Sequence, residues 1–86
     1  MSAVRDLLEN ENPEAFLWDG LDDALVGVAR RCGQPTLAVY DYEKCAEVFV
    51  AQGMTYEEAV EWIEFNVVGG WIGEMTPVML MRPSDD

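Results

Sequence analysis

The sequence contains no histidine, two cysteines and five basic side chains among 86 residues. Without histidine a zinc site would lack ligands, and Cys32 and Cys45 form no C-x-x-C pair. Two cysteines are also too few for the disulfide framework of small secreted domains, so we expect reduced thiols. No basic region precedes an apolar run at the N-terminus, and no apolar segment approaches about 18 residues. These absences predict a cytoplasmic protein without a metal, a cofactor or a membrane anchor.

Acidic side chains dominate what is present. Seventeen carboxylates stand against five basic groups, which gives a formal net charge of −12 at pH 7. That charge is well beyond the roughly 2–8 usual for a small domain. Nucleic acids and anionic membranes are polyanions, so the charge argues against direct binding to either of them. It favours a basic protein surface as the partner.

The length and the apolar content bound the architecture. Eighty-six residues make one domain, and 50% of them are hydrophobic, with three Trp, three Tyr and three Phe. This is enough for one compact core. We therefore predict a single domain over residues 1–86, with an N-terminal helix and linker in 1–13 and a frayed tail in 82–86.

The first half of the chain predicts one helix and one hairpin. Residues 2–9 show helical apolar spacing with Ser2 as the N-cap. Residues 21–31 are open to two interpretations, a helix or the first half of a hairpin with strands at 24–30 and 36–40. Gly27 would cost a helix interior about 1 kcal/mol, and the turn residues between the strands suit a hairpin, which we therefore predict.

The second half predicts two capped helices. Asp41 is placed to N-cap a helix over residues 42–52, and Gly53 fits the left-handed position after it. Thr55 and Glu58 match the T-x-x-E capping box that begins the next helix. The buried face of the first helix should comprise Tyr42, Cys45, Val48 and Phe49 or its neighbours. That of the second should comprise Ala59, Trp62 and Ile63, joined by Tyr56 or Asn66.

The C-terminal region predicts the last strand. Gly69-Gly70 ends the second helix, residues 71–73 form a short extended piece, and residues 77–81 form a strand with Pro77 at its start. The expected fold class is α+β. It comprises an antiparallel sheet of two or three strands with two or three helices packed on one face.

Three segments carry a resemblance: DGLDDALVGV (19–28), VYDYEKC (39–45) and GMTYEEAVEWIEFNVVGGWIGEMTP (53–77). They resemble a family of short acidic proteins found in phages, prophages and bacteria, and the third segment is the specific part. The resemblance implies a compact domain in a mobile-element setting. No activity is assigned to that family, so no catalytic or binding residues carry over from it. The family often has alanine at the position of Gly70, a departure that bears only on the local backbone.

Catalytic interpretations of individual residues are weak. Cys45 lies near a helix start, where the dipole can lower a thiol pKa, but no histidine is present as a base. It also falls on the apolar stripe, so we interpret it as a buried structural thiol. Asp19, Asp22 and Asp23 lack the spacing of a calcium-binding loop. A pair such as Glu57 and Glu61 fits a solvated helix face better than an acid–base pair. We expect no enzyme.

The carboxylates of the two long helices are the strongest functional signal. They recur one helical turn apart, which is about 5–6 Å along the helix axis. The phosphates of duplex DNA recur every ~3.4 Å along each strand, which is a comparable spacing. Any acidic amphipathic helix has carboxylates spaced in this way. The leading hypothesis is a phage-type inhibitor that mimics nucleic acid and blocks a basic surface of a host defence complex, as an anti-CRISPR protein would. The expected partner-binding residues are Glu43, Glu47, Glu57, Glu58, Glu61 and Glu64, with Asp22 and Asp23 behind them and Trp71 as an apolar anchor.

A second hypothesis comes from the apolar segment at residues 78–81. An edge strand there could pair with a second copy of the chain and make a structural homodimer. The acidic face would then only solubilise the protein. Salt separates the two hypotheses, because docking of acidic onto basic surfaces weakens with ionic strength and strand pairing persists.

Overall fold

The computed structural model describes residues 3–83, which fold into a small α+β domain, as predicted. The predicted N-cap Ser2 and residues 84–86 of the predicted tail lie outside the described residues. A 3₁₀ turn (Asp22–Ala24) precedes the first strand, and a π-helical turn (Glu64–Val68) continues the third helix. The main elements are α1 (Ala3–Glu11), β1 (Leu25–Ala29), β2 (Leu37–Asp41), α2 (Tyr42–Ala51), α3 (Tyr56–Ile63) and β3 (Val78–Leu80).

The hairpin prediction is confirmed, and the alternative helix over residues 21–31 is wrong. Strands β1 and β2 pair antiparallel, with Ala29 opposite Leu37 and Gly27 opposite Val39. Gly33 in the connecting turn has φ 75°, a left-handed conformation that glycine adopts without steric cost. The residues of the turn therefore favour a hairpin more strongly than the apolar spacing of residues 21–31 favours a helix.

The predicted antiparallel sheet is wrong at its third strand. The order is β1-β2-β3, and β3 runs parallel to β2, with Val39 opposite Val78 and Asp41 opposite Leu80. Parallel neighbours need a long crossover connection, usually helical. Helices α2 and α3 lie between β2 and β3 in the chain and supply this crossover, so the sheet is mixed.

Helix α2 begins where β2 ends, at the buried Asp41. The backbone N–H of Lys44 donates to Asp41 Oδ1 at 3.0 Å, which confirms the predicted N-cap. The other oxygen, Oδ2, is buried without a hydrogen bond within residues 3–83 and faces the guanidinium of Arg82 as an ion pair. Gly53, with φ 109°, follows the helix as predicted, although α2 ends one residue earlier than expected, at Ala51.

The predicted capping box of α3 is confirmed. The Glu58 backbone N–H donates to Thr55 Oγ1 at 3.1 Å, and the Thr55 N–H donates to Glu58 Oε1 at 2.9 Å. At its far end the helix widens, because the Gly69 N–H donates to the carbonyl of Glu64, five residues earlier, at 3.0 Å. This π-helical turn changes which side chains continue the buried face.

The core lies between the helices and one face of the sheet. Ala38 and Tyr40 of β2 are fully buried and alternate with half-buried Leu37 and Val39. The Tyr40 ring lies 4.7 Å from that of Trp18, and the Tyr40 hydroxyl accepts the Trp18 backbone N–H at 2.9 Å. The other buried apolar residues are Leu8, Leu21, Ala24, Leu25, Tyr42, Cys45, Ala46, Ala59, Ile63 and Val67.

The connection from α3 to β3 is irregular. Residues 71–73, predicted as extended, form no strand. The Ile72 backbone N–H donates instead to Thr76 Oγ1 at 2.9 Å, and the Thr76 hydroxyl donates to the Gly73 carbonyl. The segment is therefore held by a local turn, and Gly73 adopts φ 115° within it. In the part of the chain from residue 3 to residue 83, no helix combines the length and apolar character needed to cross a bilayer.

Loss of the Thr55 cap should destabilise the fold. Thr55→Ala leaves the Glu58 N–H without its side-chain acceptor, and we expect the free energy of unfolding to fall by about 1 kcal/mol. Thr55→Ser keeps the acceptor oxygen and should retain most of the stability. Urea denaturation followed by far-UV circular dichroism measures both variants, and equal loss in the two would contradict a capping role.

Candidate protein-binding surface

The structure exposes every residue predicted to contact a partner. Helices α2 and α3 pack against each other, so their glutamates occupy one helical layer of the molecule. Glu64 belongs to the π-helical turn at the end of α3, and the 3₁₀ turn that carries Asp22 and Asp23 contacts α2. We call the glutamates of this layer the acidic helical surface: Glu43, Glu47, Glu57, Glu58, Glu61 and Glu64.

Two glutamates of this surface are held by tyrosine hydroxyls. Tyr42 Oη donates to Glu64 Oε2 at 2.7 Å, and Tyr56 Oη donates to the two carboxylate oxygens of Glu43 at 2.9 and 3.1 Å. Burial, and then the hydrogen bond to Glu64, raise the pKa of Tyr42 to about 12. Both hydroxyls are therefore donors at neutral pH, and they position carboxylates without neutralising them.

The ion pairs of the described chain use carboxylates other than those of the acidic helical surface. They join Arg5 to Asp22 at 2.9 Å, Arg30 to Glu11 at 3.3 Å, and Arg82 to Asp41. Asp22 therefore already has a cationic partner, which makes it a weaker candidate for binding a second protein. Lys44 is the only basic residue in the sequence of α2 and α3. Within residues 3–83, Glu47, Glu57 and Glu61 have neither an ion pair nor a hydrogen bond of the side chain.

Asp23, predicted to lie behind the glutamates, adjoins the acidic helical surface at Glu47. Asp23, Lys44 and Glu47 line one shallow concavity together with Val48 and Ala51. Two acidic residues and the lysine of α2 thus line the same concavity. The sequence separation of the 3₁₀ turn from α2 hides this proximity, which arises because β1 and β2 fold back between them.

The structure corrects the prediction that Trp62 belongs to the core. Its side chain is 46% exposed, and Phe65 is 79% exposed. Ala59, Ile63 and Val67 take the buried positions of the helix. Trp62 precedes Ile63 by one residue, so it lies about 100° around the helix and packs its ring at the side, 6.3 Å from that of Phe49. The sequence of this helix contains more apolar residues than one helix face can bury, which indicates that some of them are exposed.

These exposed rings border a groove that sequence analysis missed. Trp62 and Phe65 line it with two carboxylates of the acidic helical surface. It is shallow and widely open to solvent, with a volume of about 470 Å³. We call it the aromatic–acidic groove, and its lining residues are Met54, Glu58, Glu61, Trp62, Phe65 and Asn66. Apolar walls and unneutralised carboxylates therefore meet at one place on α3.

Trp71, the predicted anchor, lies elsewhere. It is 73% exposed and lines a separate concavity of about 590 Å³ with Arg30, Arg31, Leu37 and Val78. This concavity is beside the sheet, and its charged lining is mainly basic. Trp71 therefore does not share a concavity with the glutamates it was expected to assist.

The thiols show no arrangement for catalysis. Cys45 is fully buried, as predicted, and burial together with the nearby Asp41 raises its pKa to about 11. It is therefore a protonated thiol at neutral pH. Cys32 is exposed in the hairpin turn. Among residues 3–83, no three His, Cys, Asp or Glu side chains are grouped so that they could hold a metal ion.

Comparison of the chain with models of known protein families, with curated proteins and with solved structures found no match. The resemblance to short acidic phage proteins stays a prediction. Function is therefore inferred from the charges, exposed rings and hydrogen bonds of the molecule itself.

The raised pKa of Tyr42 makes stability depend on pH in the alkaline range. The folded state favours the neutral phenol, so this contribution is complete below the unfolded value of 10.0 and is lost as the pH rises towards about 12. We expect the free energy of unfolding to fall across this interval, and to fall less steeply in Tyr42→Phe. Urea denaturation at about pH 8 and about pH 11 measures the difference.

Tyr56→Phe is the matched control for that titration, because Tyr56 also donates to a glutamate but from an exposed position. It should change the alkaline slope less than Tyr42→Phe does. Identical slopes in the wild type and Tyr42→Phe would show that the buried phenol does not control this transition.

Proposed function

We propose that this protein is a small acidic protein-binding module, whose acidic helical surface occupies a basic, nucleic-acid-binding surface of a partner. The observation that supports this most is the separation of charge. The ion pairs use other carboxylates, while those of α2 and α3 remain exposed and unpaired with cations. Such a surface costs stability through self-repulsion, and a basic partner would relieve that cost.

The proposed mechanism is competition with nucleic acid. Carboxylates take the place of phosphates opposite Lys and Arg side chains, since both anions accept charge-assisted hydrogen bonds from the same donors. The tyrosine hydroxyls on Glu43 and Glu64 hold two of these carboxylates in place before binding. Prior ordering reduces the conformational entropy lost on association. The long-range charge accelerates encounter with a basic partner.

The setting we propose is a bacterial cell in which a phage or prophage supplies the protein. This part rests on the resemblance to short acidic phage proteins and on the sign of the charge. A host defence complex that binds nucleic acid presents the basic groove that the mechanism requires. The proposed role is inhibition by occupation, without a chemical step.

Affinity capture from bacterial lysate tests this function. Immobilised protein should retain a nucleic-acid-binding protein at about 0.1 M salt, lose it at about 0.5 M, and release it to added DNA. The variant Glu47→Gln/Glu57→Gln/Glu61→Gln should retain much less, because it removes carboxylates that have no internal partner. Far-UV circular dichroism confirms that each variant is folded.

The matched control is Glu9→Gln/Glu14→Gln/Glu74→Gln, which removes the same charge from exposed positions outside α2 and α3. It should bind as the wild type does. Equal loss in both triple variants would indicate net charge alone, and retention of no nucleic-acid-binding protein by the wild type would reject the proposal.

A second candidate, self-association through β3, is favoured by one observation. Strand β3 lies at the edge of the sheet, and Val78, Leu80 and Met81 are exposed there. Pairing of β3 edges between two copies predicts a dimer that persists at about 0.5 M salt and dissociates in Leu80→Lys. Sedimentation velocity distinguishes the cases, because a monomer at both salt concentrations excludes this candidate.

A further inference from the structure

The aromatic–acidic groove follows one face of α3. Glu58, Glu61, Trp62 and Phe65 stand at positions i, i+3, i+4 and i+7, which bring side chains together along a helix. Met54, before the capping box, and Asn66 complete the lining. The groove thus spans the capped helix α3 and the π-helical turn that continues it.

Folding alone does not account for the exposed rings. Phe65 is the more exposed of the two, while Ile63 and Val67 on either side of it are buried. It lies within the π-helical turn, a feature that recurs at functional sites. Large exposed aromatic side chains beside polar residues are typical of protein-binding surfaces. The Phe65 ring therefore faces solvent from the π-helical turn.

The charge of the groove selects its occupant. Glu58 and Glu61 are acidic, and among residues 3–83 no basic side chain lines the groove. Glu58 already accepts the Thr55 N–H, whereas the Glu61 carboxylate has no hydrogen bond within residues 3–83. A purely apolar occupant would desolvate carboxylates without giving them a partner, which is unfavourable. A cationic occupant offsets this desolvation best, because it gives the carboxylates charge-assisted hydrogen bonds.

The aromatic side chains of the groove favour one kind of cation, a guanidinium, over an ammonium group. A guanidinium is planar, so it stacks on an indole or phenyl ring while its N–H groups donate to a carboxylate in the same plane. An ammonium is a compact, strongly hydrated charge that satisfies the carboxylate but stacks less well. Trp62 offers the most favourable ring for such a contact.

We propose that the aromatic–acidic groove binds an arginine side chain of the partner protein, stacked on Trp62 and Phe65 and hydrogen-bonded to Glu61. The site rests on the proposed function, since it assumes a protein partner with a basic surface, and it names the residue type that anchors that partner. It also replaces Trp71 as the apolar anchor of the acidic helical surface.

Capped tripeptides with a central arginine, lysine or citrulline test the site on the full-length protein. The readout is the nitrogen-15 shift spectrum of the indole N–H groups, in which Trp62→Phe identifies the Trp62 signal. We expect the arginine peptide to move the Trp62 signal saturably and about tenfold more tightly than lysine. Citrulline, which is neutral and nearly isosteric, should have no measurable effect.

Matched glutamate variants locate the contact. Glu61→Gln should weaken arginine binding about tenfold, whereas Glu14→Gln, which removes an exposed carboxylate outside both the groove and the acidic helical surface, should leave it unchanged. No shift of the Trp62 signal up to about 10 mM arginine peptide, equal binding of arginine and lysine, or an unaffected Glu61→Gln would each overturn the proposal.

The two proposals fail separately. Capture of a partner that depends on the acidic helical surface, without any Trp62 response to arginine, keeps the function and rejects this anchor. A selective Trp62 response in a protein that captures no nucleic-acid-binding partner supports the groove and rejects the function. Far-UV circular dichroism on Glu61→Gln and Trp62→Phe shows that lost binding is not lost folding.

Discussion

The buried carboxylate of Asp41 joins the main parts of this molecule. Asp41 is the last residue of β2 and pairs in register with Leu80 of β3, while its side chain caps α2 and faces Arg82 beyond β3. A charge in the interior is costly unless cations and N–H donors surround it. The sheet, the start of α2 and the exit from β3 must therefore be correct together for this group to be satisfied.

The acidic helical surface depends on that junction. Tyr42 directly follows Asp41, so the cap that begins α2 also sets the position from which the Tyr42 hydroxyl reaches Glu64 at the end of α3. The helix pair is thus tied at its far end as well as through its short connecting turn. Three arginines form ion pairs with Asp41, Asp22 and Glu11. The glutamates of the helix pair therefore face solvent without a cationic partner within the described chain.

Local signals predicted much of the fold. The cap at Asp41, the capping box of Thr55 and Glu58, and the left-handed glycine Gly53 involve neighbouring residues, so their patterns are readable along the chain. The hairpin was readable for the same reason, since Gly33 provides its turn. The exposed glutamates of the two helices were likewise predicted by helical periodicity.

What remained beyond prediction involves residues distant in sequence or a choice between equally apolar neighbours. The parallel direction of β3 follows from the crossover made by the helices. Asp23 and Glu47 line the same concavity because the hairpin folds back between them. Trp62 and Ile63 are both apolar, and only packing against the core decides that Ile63 is buried and Trp62 borders a groove. The sequence by itself determined the helices, the caps of α2 and α3 and the sign of the surface charge, because these depend on local periodicity and composition. The tertiary structure alone decided which rings and carboxylates share a groove, because packing distributes a limited buried volume among competing side chains.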